Sequence, residues 1–307
     1  MRKILQFSRL SLLLVFVLVS MVTYAQDDAD VPVWPEPGSY TAGILFDDLE
    51  RIYRIYIPES YPEAEDPVPL VFVLHGAGDI APNIELATGF SDLAEEAGFI
   101  AIYPQGVNGL WNAGQDDEDI AAVDDTAFIL KILEDMTDRL NLDTGRVYVT
   151  GFSMGAMMAY RLGCELEDEI AAIAAVGSPF PAFVQPLCEE AAPVSVLMMH
   201  GTADNVVPGD GRSATFMSIP QSFGFWMEHN ECSEEEESLV SQDFEAHPMD
   251  GSAVEANAAV ICADDTEVWL YAVIGGEHNW PGARGLVQRQ PFQFNATETI
   301  WSFFADK

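Results

Sequence analysis

Arg146-Val-Tyr-Val-Thr-Gly-Phe-Ser-Met-Gly-Ala-Met-Met-Ala-Tyr160 is the stretch that decides the fold. Residues 146–150 alternate β-branched and aromatic side chains and read as a strand. From Met154 to Leu166 the chain is rich in Ala and Met, which favour helix. Only Gly151-Phe-Ser-Met-Gly155 separates the two, so strand must turn sharply into helix, with small residues on both sides of Ser153. The same alternation continues outward. Residues 51–58, 69–74 and 99–103 read as strands, 84–97 as a helix stopped by Gly98, and about 124–140 as a long helix capped by Asp124 or Asp125. Downstream, 170–176, 194–199 and 268–274 read as strands and 298–304 as a closing helix. Strands alternating with helices imply an α/β domain, with a mostly parallel, doubly wound sheet covered by helices on both faces.

The chain has 307 residues, of which 49% are hydrophobic and 11% aromatic, enough for a full core and incompatible with a disordered polymer. Thirteen Lys and Arg stand against 50 Asp and Glu, a formal net charge of −37. That excess excludes nucleic acid as a partner, because a phosphate backbone needs cations. Arg2, Lys3 and Arg9 precede an apolar run from Leu10 to Val22, and Thr23 and Ala25 are small residues before polar Gln26. Residues 1–25 therefore read as a secretory signal peptide cleaved after Ala25, with a run too short to span a bilayer. The expected product is secreted, with no membrane association after cleavage. Residues 26–42, rich in Asp and Pro, read as an extended leader, and 43–307 as one catalytic domain. Within it, 230–266 carries Glu234 to Glu237 and reads as an acidic surface insertion, a solvated face with a small hairpin. Four cysteines in an exported chain suggest disulfides, and the nearest-neighbour scheme pairs Cys164 with Cys188 and Cys232 with Cys262. No paired Cys/His spacing exists, so no structural zinc is expected and no metal is assigned, with calcium on the acidic insertion left open.

Ser153, lifted out of the sheet at a helix N-terminus, is the candidate nucleophile. A serine hydroxyl needs a base, and on an α/β-hydrolase scaffold the chain order is serine, acid, histidine. His75 precedes the serine, His200 leads into the acid loop, His229 lies in a helix and His247 in the insertion. His278 follows the 268–274 strand across Gly275 and Gly276, at the strand edge where such sheets gather ligands, and is the candidate base. Asp204, in the loop after the 194–199 strand, is the candidate acid, with Asp210 as the fallback. The oxyanion donors are expected to be the backbone N–H groups of Met154 and Ala77, with Gly78 next to the latter.

Leu74-His-Gly, the 151–155 pentapeptide, His200-Gly-Thr-Ala-Asp204 and His278-Asn-Trp-Pro-Gly282 together resemble the polyhydroxybutyrate depolymerase and feruloyl esterase group of secreted α/β-hydrolases. Trp111-Asn-Ala-Gly114 and Val123-Asp-Asp-Thr126 match that group as well. The resemblance covers about residues 40–305 and implies the α/β-hydrolase fold and a Ser153–His278–Asp204 triad. It also implies Trp280 at the mouth of the acyl cleft, with Trp111 either lining it or buried in the core, and no cofactor. The loop 75–79 departs from several polyester-degrading members in having no cysteine. The expected activity is hydrolysis of small or polymer-borne esters: feruloyl or acetyl groups on plant polysaccharide, or short hydroxyalkanoates. A serine peptidase of the same fold and a catalytically silent binding module are the alternatives, and the oligomeric state stays open.

Overall fold

A computed structural model describes residues 36–244, 253–284 and 294–307. The proposed signal peptide, residues 26–35 of the leader and His247 lie outside the described residues. In chain order the strands and helices are β1 (Gly38–Phe46), β2 (Leu49–Ile57), β3 (Val68–Leu74), α1 (Ala81–Thr88), α2 (Phe90–Ala97), β4 (Ile100–Pro104), α3 (Glu118–Ala121), α4 (Asp125–Arg139), β5 (Leu142–Phe152) and α5 (Met154–Glu165). There follow β6 (Ala172–Val176), β7 (Ser195–Gly201), α6 (Ile219–His229), β8 (Leu239–Phe244), β9 (Ala253–Ala259), β10 (Val268–Ile274) and α7 (Ala296–Ala305). Among the described residues the strands form one sheet in the order β1-β2-β4-β3-β5-β6-β7-β10-β9-β8. From β4 through β10 neighbouring strands are parallel, and an antiparallel pair extends each side.

Two apolar layers hold the sheet. On one face Phe128, Ile132, Met158 and Trp226 bring α4, α5 and α6 against Leu70, Phe72 and Val149. On the other, Ile84, Phe90, Ile300 and Phe304 bring α1, α2 and α7 against Val71, Val73 and Tyr148. All seven β3 residues are buried, as a continuous apolar strand in a doubly covered sheet must be. The fold is the α/β-hydrolase architecture expected of the sequence.

Three expectations are corrected. The leader does not extend to residue 42: Gly38–Phe46 is an edge strand, antiparallel to β2. Its alternation puts Tyr40, Ala42, Ile44 and Phe46 on the half-buried face, a period-2 signal hidden behind the preceding Asp/Pro-rich text. The helix expected over 84–97 is two helices, because Gly89 adopts φ +69° and ends α1 where α2 begins. The acidic segment 230–266 is not a surface appendage, since β8 and β9 continue the central sheet through β10. Its buried positions are small (Val254, Ala256, Ala258), so it lacks the bulky pattern of a core strand.

Cys164 bonds Cys188 and Cys232 bonds Cys262, closing loops with sequence separations of 24 and 30. The first ties the last turn of α5 to the segment after β6. Replacing both Cys164 and Cys188 by Ala should lower unfolding stability by about 2–4 kcal/mol in urea titration, because the unfolded chain regains the freedom of that loop.

Candidate active site

The turn between β5 and α5 is tight because three backbones meet there. A Cβ on Gly151 would stand 2.3 Å from the Gly155 carbonyl oxygen, and one on Gly155 only 2.4 Å from that of Leu74. Ser153, between them, is held at φ +56°, ψ −115°, a strained conformation for a residue with a side chain. Its N–H donates to the Val176 carbonyl at 2.8 Å, which fixes the turn on β6. The hydroxyl is thereby presented at the C-terminal edge of the parallel strands.

His278 Nε2 lies 3.0 Å from Ser153 Oγ, and His278 Nδ1 lies 2.7 Å from Asp204 Oδ2. The three side chains, far apart in sequence, form one continuous hydrogen-bonded line. Asp204 is out of solvent, and its other oxygen, Oδ1, accepts the N–H groups of Val206 and Val207 at 2.8 and 2.9 Å. Asp210 is instead exposed and paired with Arg212, whose backbone N–H holds its carboxyl below the usual carboxylate range. His229 stacks on Phe225, away from this site.

The acid and imidazole loops are fastened to each other through backbone. Thr202 N–H donates to the Val273 carbonyl, Ala203 N–H to that of Gly276, and the Thr202 hydroxyl accepts from Gly275 N–H. Gly201 permits this contact, since a Cβ there would stand 2.3 Å from the Gly276 oxygen. Phe152 supports the imidazole from below, with ring centroids 4.8 Å apart.

The loop after β3 runs beside Ser153: a Cβ on Gly76 would lie 3.6 Å from that of Ser153. Gly78 N–H is engaged by the Gly109 carbonyl at 2.8 Å, whereas no acceptor among the described residues takes the N–H of Ala77 or of Met154. His75 anchors this loop. Its Nε2 accepts from Gly106 N–H and its Nδ1 donates to the Gly76 carbonyl, which fixes the tautomer. Gln105, not singled out by any motif, reaches His75 Nε2 at 3.1 Å, the Asp79 carbonyl and Ala81 N–H. Below lies a buried ion pair, Arg51–Asp125 at 2.5 Å, whose carboxylate also accepts Asn112 N–H. Burial pushes the Asp125 carboxyl up, opposed by the Asn112 N–H and by Arg51.

Trp280 departs from expectation, and Trp111 takes the buried one of its two expected places. Trp280 is 4% exposed; its indole N–H donates to Thr297 Oγ1 at 3.0 Å and its ring meets Phe90 edge to face, so it joins α7 to α2 and does not stand at a cleft mouth. Trp111 is fully buried and donates to the His75 carbonyl at 2.9 Å, so it braces the loop after β3 from within and does not line a cleft. An indole N–H inside a core needs an acceptor, and each finds one far away in sequence.

Burial lowers the pKa of both His75 and His200 from 6.5. An unfolded chain takes up protons on both near that pH while the folded chain resists. Each contribution is therefore complete above about pH 6.5 and lost as the pH falls further. The melting temperature of His200→Leu should fall less between pH 7 and 5 than that of the unsubstituted protein. Parallel thermal melts across that range check this.

A buried-sheet scaffold with a serine, an imidazole and a carboxylate in line at its strand edge defines an α/β-hydrolase. A family model described as Phospholipase/Carboxylesterase matches residues 107–244. A putative esterase, NocK, of Nocardia uniformis subsp. tsuyamanensis is 30% identical over 265 residues, covering 81% of this chain and 75% of that protein. Feruloyl esterase D of Neurospora crassa is 26% identical over 266 residues, 83% and 81% of the two chains. The structure of an acetyl xylan esterase from Aspergillus awamori superposes with a TM-score of 0.60 at 15% identity, over 88% of this chain and all of that one. The chain belongs to the esterase family of α/β-hydrolases that includes feruloyl and acetylxylan esterases. It is a carboxylic ester hydrolase. Among the described residues no helix is long and apolar enough to cross a membrane.

Proposed function

We propose that the protein is an exported serine esterase that cleaves feruloyl or acetyl esters borne by plant polysaccharide, or short hydroxyalkanoate esters, through an acyl-enzyme. The observation that carries this reading is the unbroken line Ser153–His278–Asp204 beside two unengaged backbone N–H groups. His278 Nε2 takes the Ser153 proton as Oγ attacks the ester carbonyl. The tetrahedral oxyanion is held by Met154 and Ala77 N–H, the former also at the positive end of α5. Asp204 stabilises the imidazolium, which then protonates the departing alcohol. Water, deprotonated by His278, releases the acid and frees Ser153. Each step moves only protons and acyl bonds, so no cofactor is called for.

The names of the relatives support the feruloyl and acetyl classes, and the charge pattern of residues 1–25 with two disulfides supports export. The test is a fluorophosphonate probe followed by peptide mapping, together with a panel of methyl ferulate, aryl acetate, hydroxybutyrate oligomer and peptide anilide. Label on Ser153 and turnover of esters but not of anilides are expected. Label elsewhere, or anilide turnover alone, overturns the reading.

A further inference from the structure

His200 closes the buried run of β7 with both ring nitrogens out of solvent; among the described residues neither nitrogen has a partner in good hydrogen-bond geometry, and the nearest polar backbone bearing on the ring is that of Val207. A buried polar group left so normally costs stability, so its retention calls for a reason. Its Nε2 stands 3.8 Å from Asp204 Oδ2, the same oxygen that meets His278 Nδ1. That distance is beyond hydrogen bonding. The same edge of the ring packs against the backbone of Gly209, where a Cβ would stand 2.9 Å from Cδ2 and 3.1 Å from Nε2, and Ile219 lies across that glycine.

Resting on the triad reading above, we propose that His200 is a positioning residue: it fills the space against Asp204 Oδ2, keeps water and other donors off that oxygen, and so directs its acceptor strength to His278. A carboxylate oxygen with one donor binds that donor more strongly than one sharing its charge between two. The titratable groups bearing on His200 are Asp204 and His278; the Gly209 and Ile219 side contributes none. Burial keeps the ring neutral, so it shields the acid without cancelling its charge. A cation at this position would compete with the imidazolium formed during catalysis, and a good donor would weaken the carboxylate's pull on it.

Four substitutions separate shielding from bonding. His200→Leu and His200→Phe keep the space dry, whereas His200→Asn brings a donor to Oδ2 and His200→Ala admits water. In kcat/KM against pH for an aryl acetate, the two apolar variants should keep the acid limb of the parent enzyme. The Asn and Ala variants should move it to lower pH by about half a unit and lower kcat about threefold to tenfold. The sign follows from the acid: a second donor on Oδ2 weakens its hold on the imidazole proton, so the free base persists to lower pH. A purely structural histidine would lower the melting temperature in all four and leave the limb in place, which overturns the proposal. So does a profile kept by Asn and lost in Leu and Phe. Histidine 15N spectra of the unsubstituted protein give an independent reading, with a neutral ring expected at His200 and a charged one overturning the idea. If the parent enzyme is inactive and unlabelled at Ser153, the triad reading fails; if it is active and labelled while all profiles coincide, only the role of His200 fails.

Discussion

Ser153→Ala is expected to lower kcat/KM for an aryl ester by roughly a millionfold, because the attacking oxygen is gone while imidazole and acid have nothing to activate. The fold should be untouched. Alanine inherits the same φ of +56°, and the Ser153 N–H bond to Val176 is a backbone contact that survives. Thermal melting should therefore coincide with that of the parent within about 2 °C. Ser153→Gly should be equally inactive yet melt higher, since glycine releases strain of order 1 kcal/mol at that conformation. Residual turnover above about a thousandth of the parent rate would mean that another nucleophile does the chemistry.

Gly155→Ala should damage both stability and rate. The new methyl would meet the Leu74 and His75 carbonyl oxygens at 2.4 and 2.7 Å, and both belong to backbone that cannot rotate away. The first turn of α5 must then retreat from the end of β3, carrying Met154 N–H away from Ala77. Such overpacking costs about 3 kcal/mol, and a displacement near 1 Å at the reacting centre costs roughly a hundredfold in kcat. Gly224→Ala is the control. It lies in α6 with nothing within 4 Å of a new Cβ, and should gain about 1 kcal/mol of stability without touching the rate. Equal behaviour of the two variants in urea titration would refute the close contact at the elbow.

How much of the fold is legible in the sequence follows from how local each signal is. The 146–160 stretch states strand, turn and helix within fifteen residues, and the unbroken apolar run of β3 announces a doubly covered sheet by itself. Asp204 and His278 were placed by chain order along that scaffold, an argument from topology that needs no distance. The elements misread or left open are those whose meaning lies in distant partners. Trp280 is decided by Thr297 and Phe90, and Trp111 by the His75 carbonyl. Gln105 sits in no motif, yet it touches His75, Asp79 and Ala81 together. The β8–β9 pair escaped because alanines satisfy burial there, and small side chains carry little periodic contrast.

The backbone stitching between the loops that carry Asp204 and His278 has a consequence for divergence. Because main-chain atoms of Thr202, Ala203, Val273, Gly275 and Gly276 make most of those bonds, many exposed side chains nearby can vary without loosening base from acid. Base and acid then travel as a cassette, aligned once when the sheet edge forms. A separate tie of the same main-chain kind joins two other loops, where Pro181 bridges Phe216 and Ala182 N–H donates to the Thr215 carbonyl.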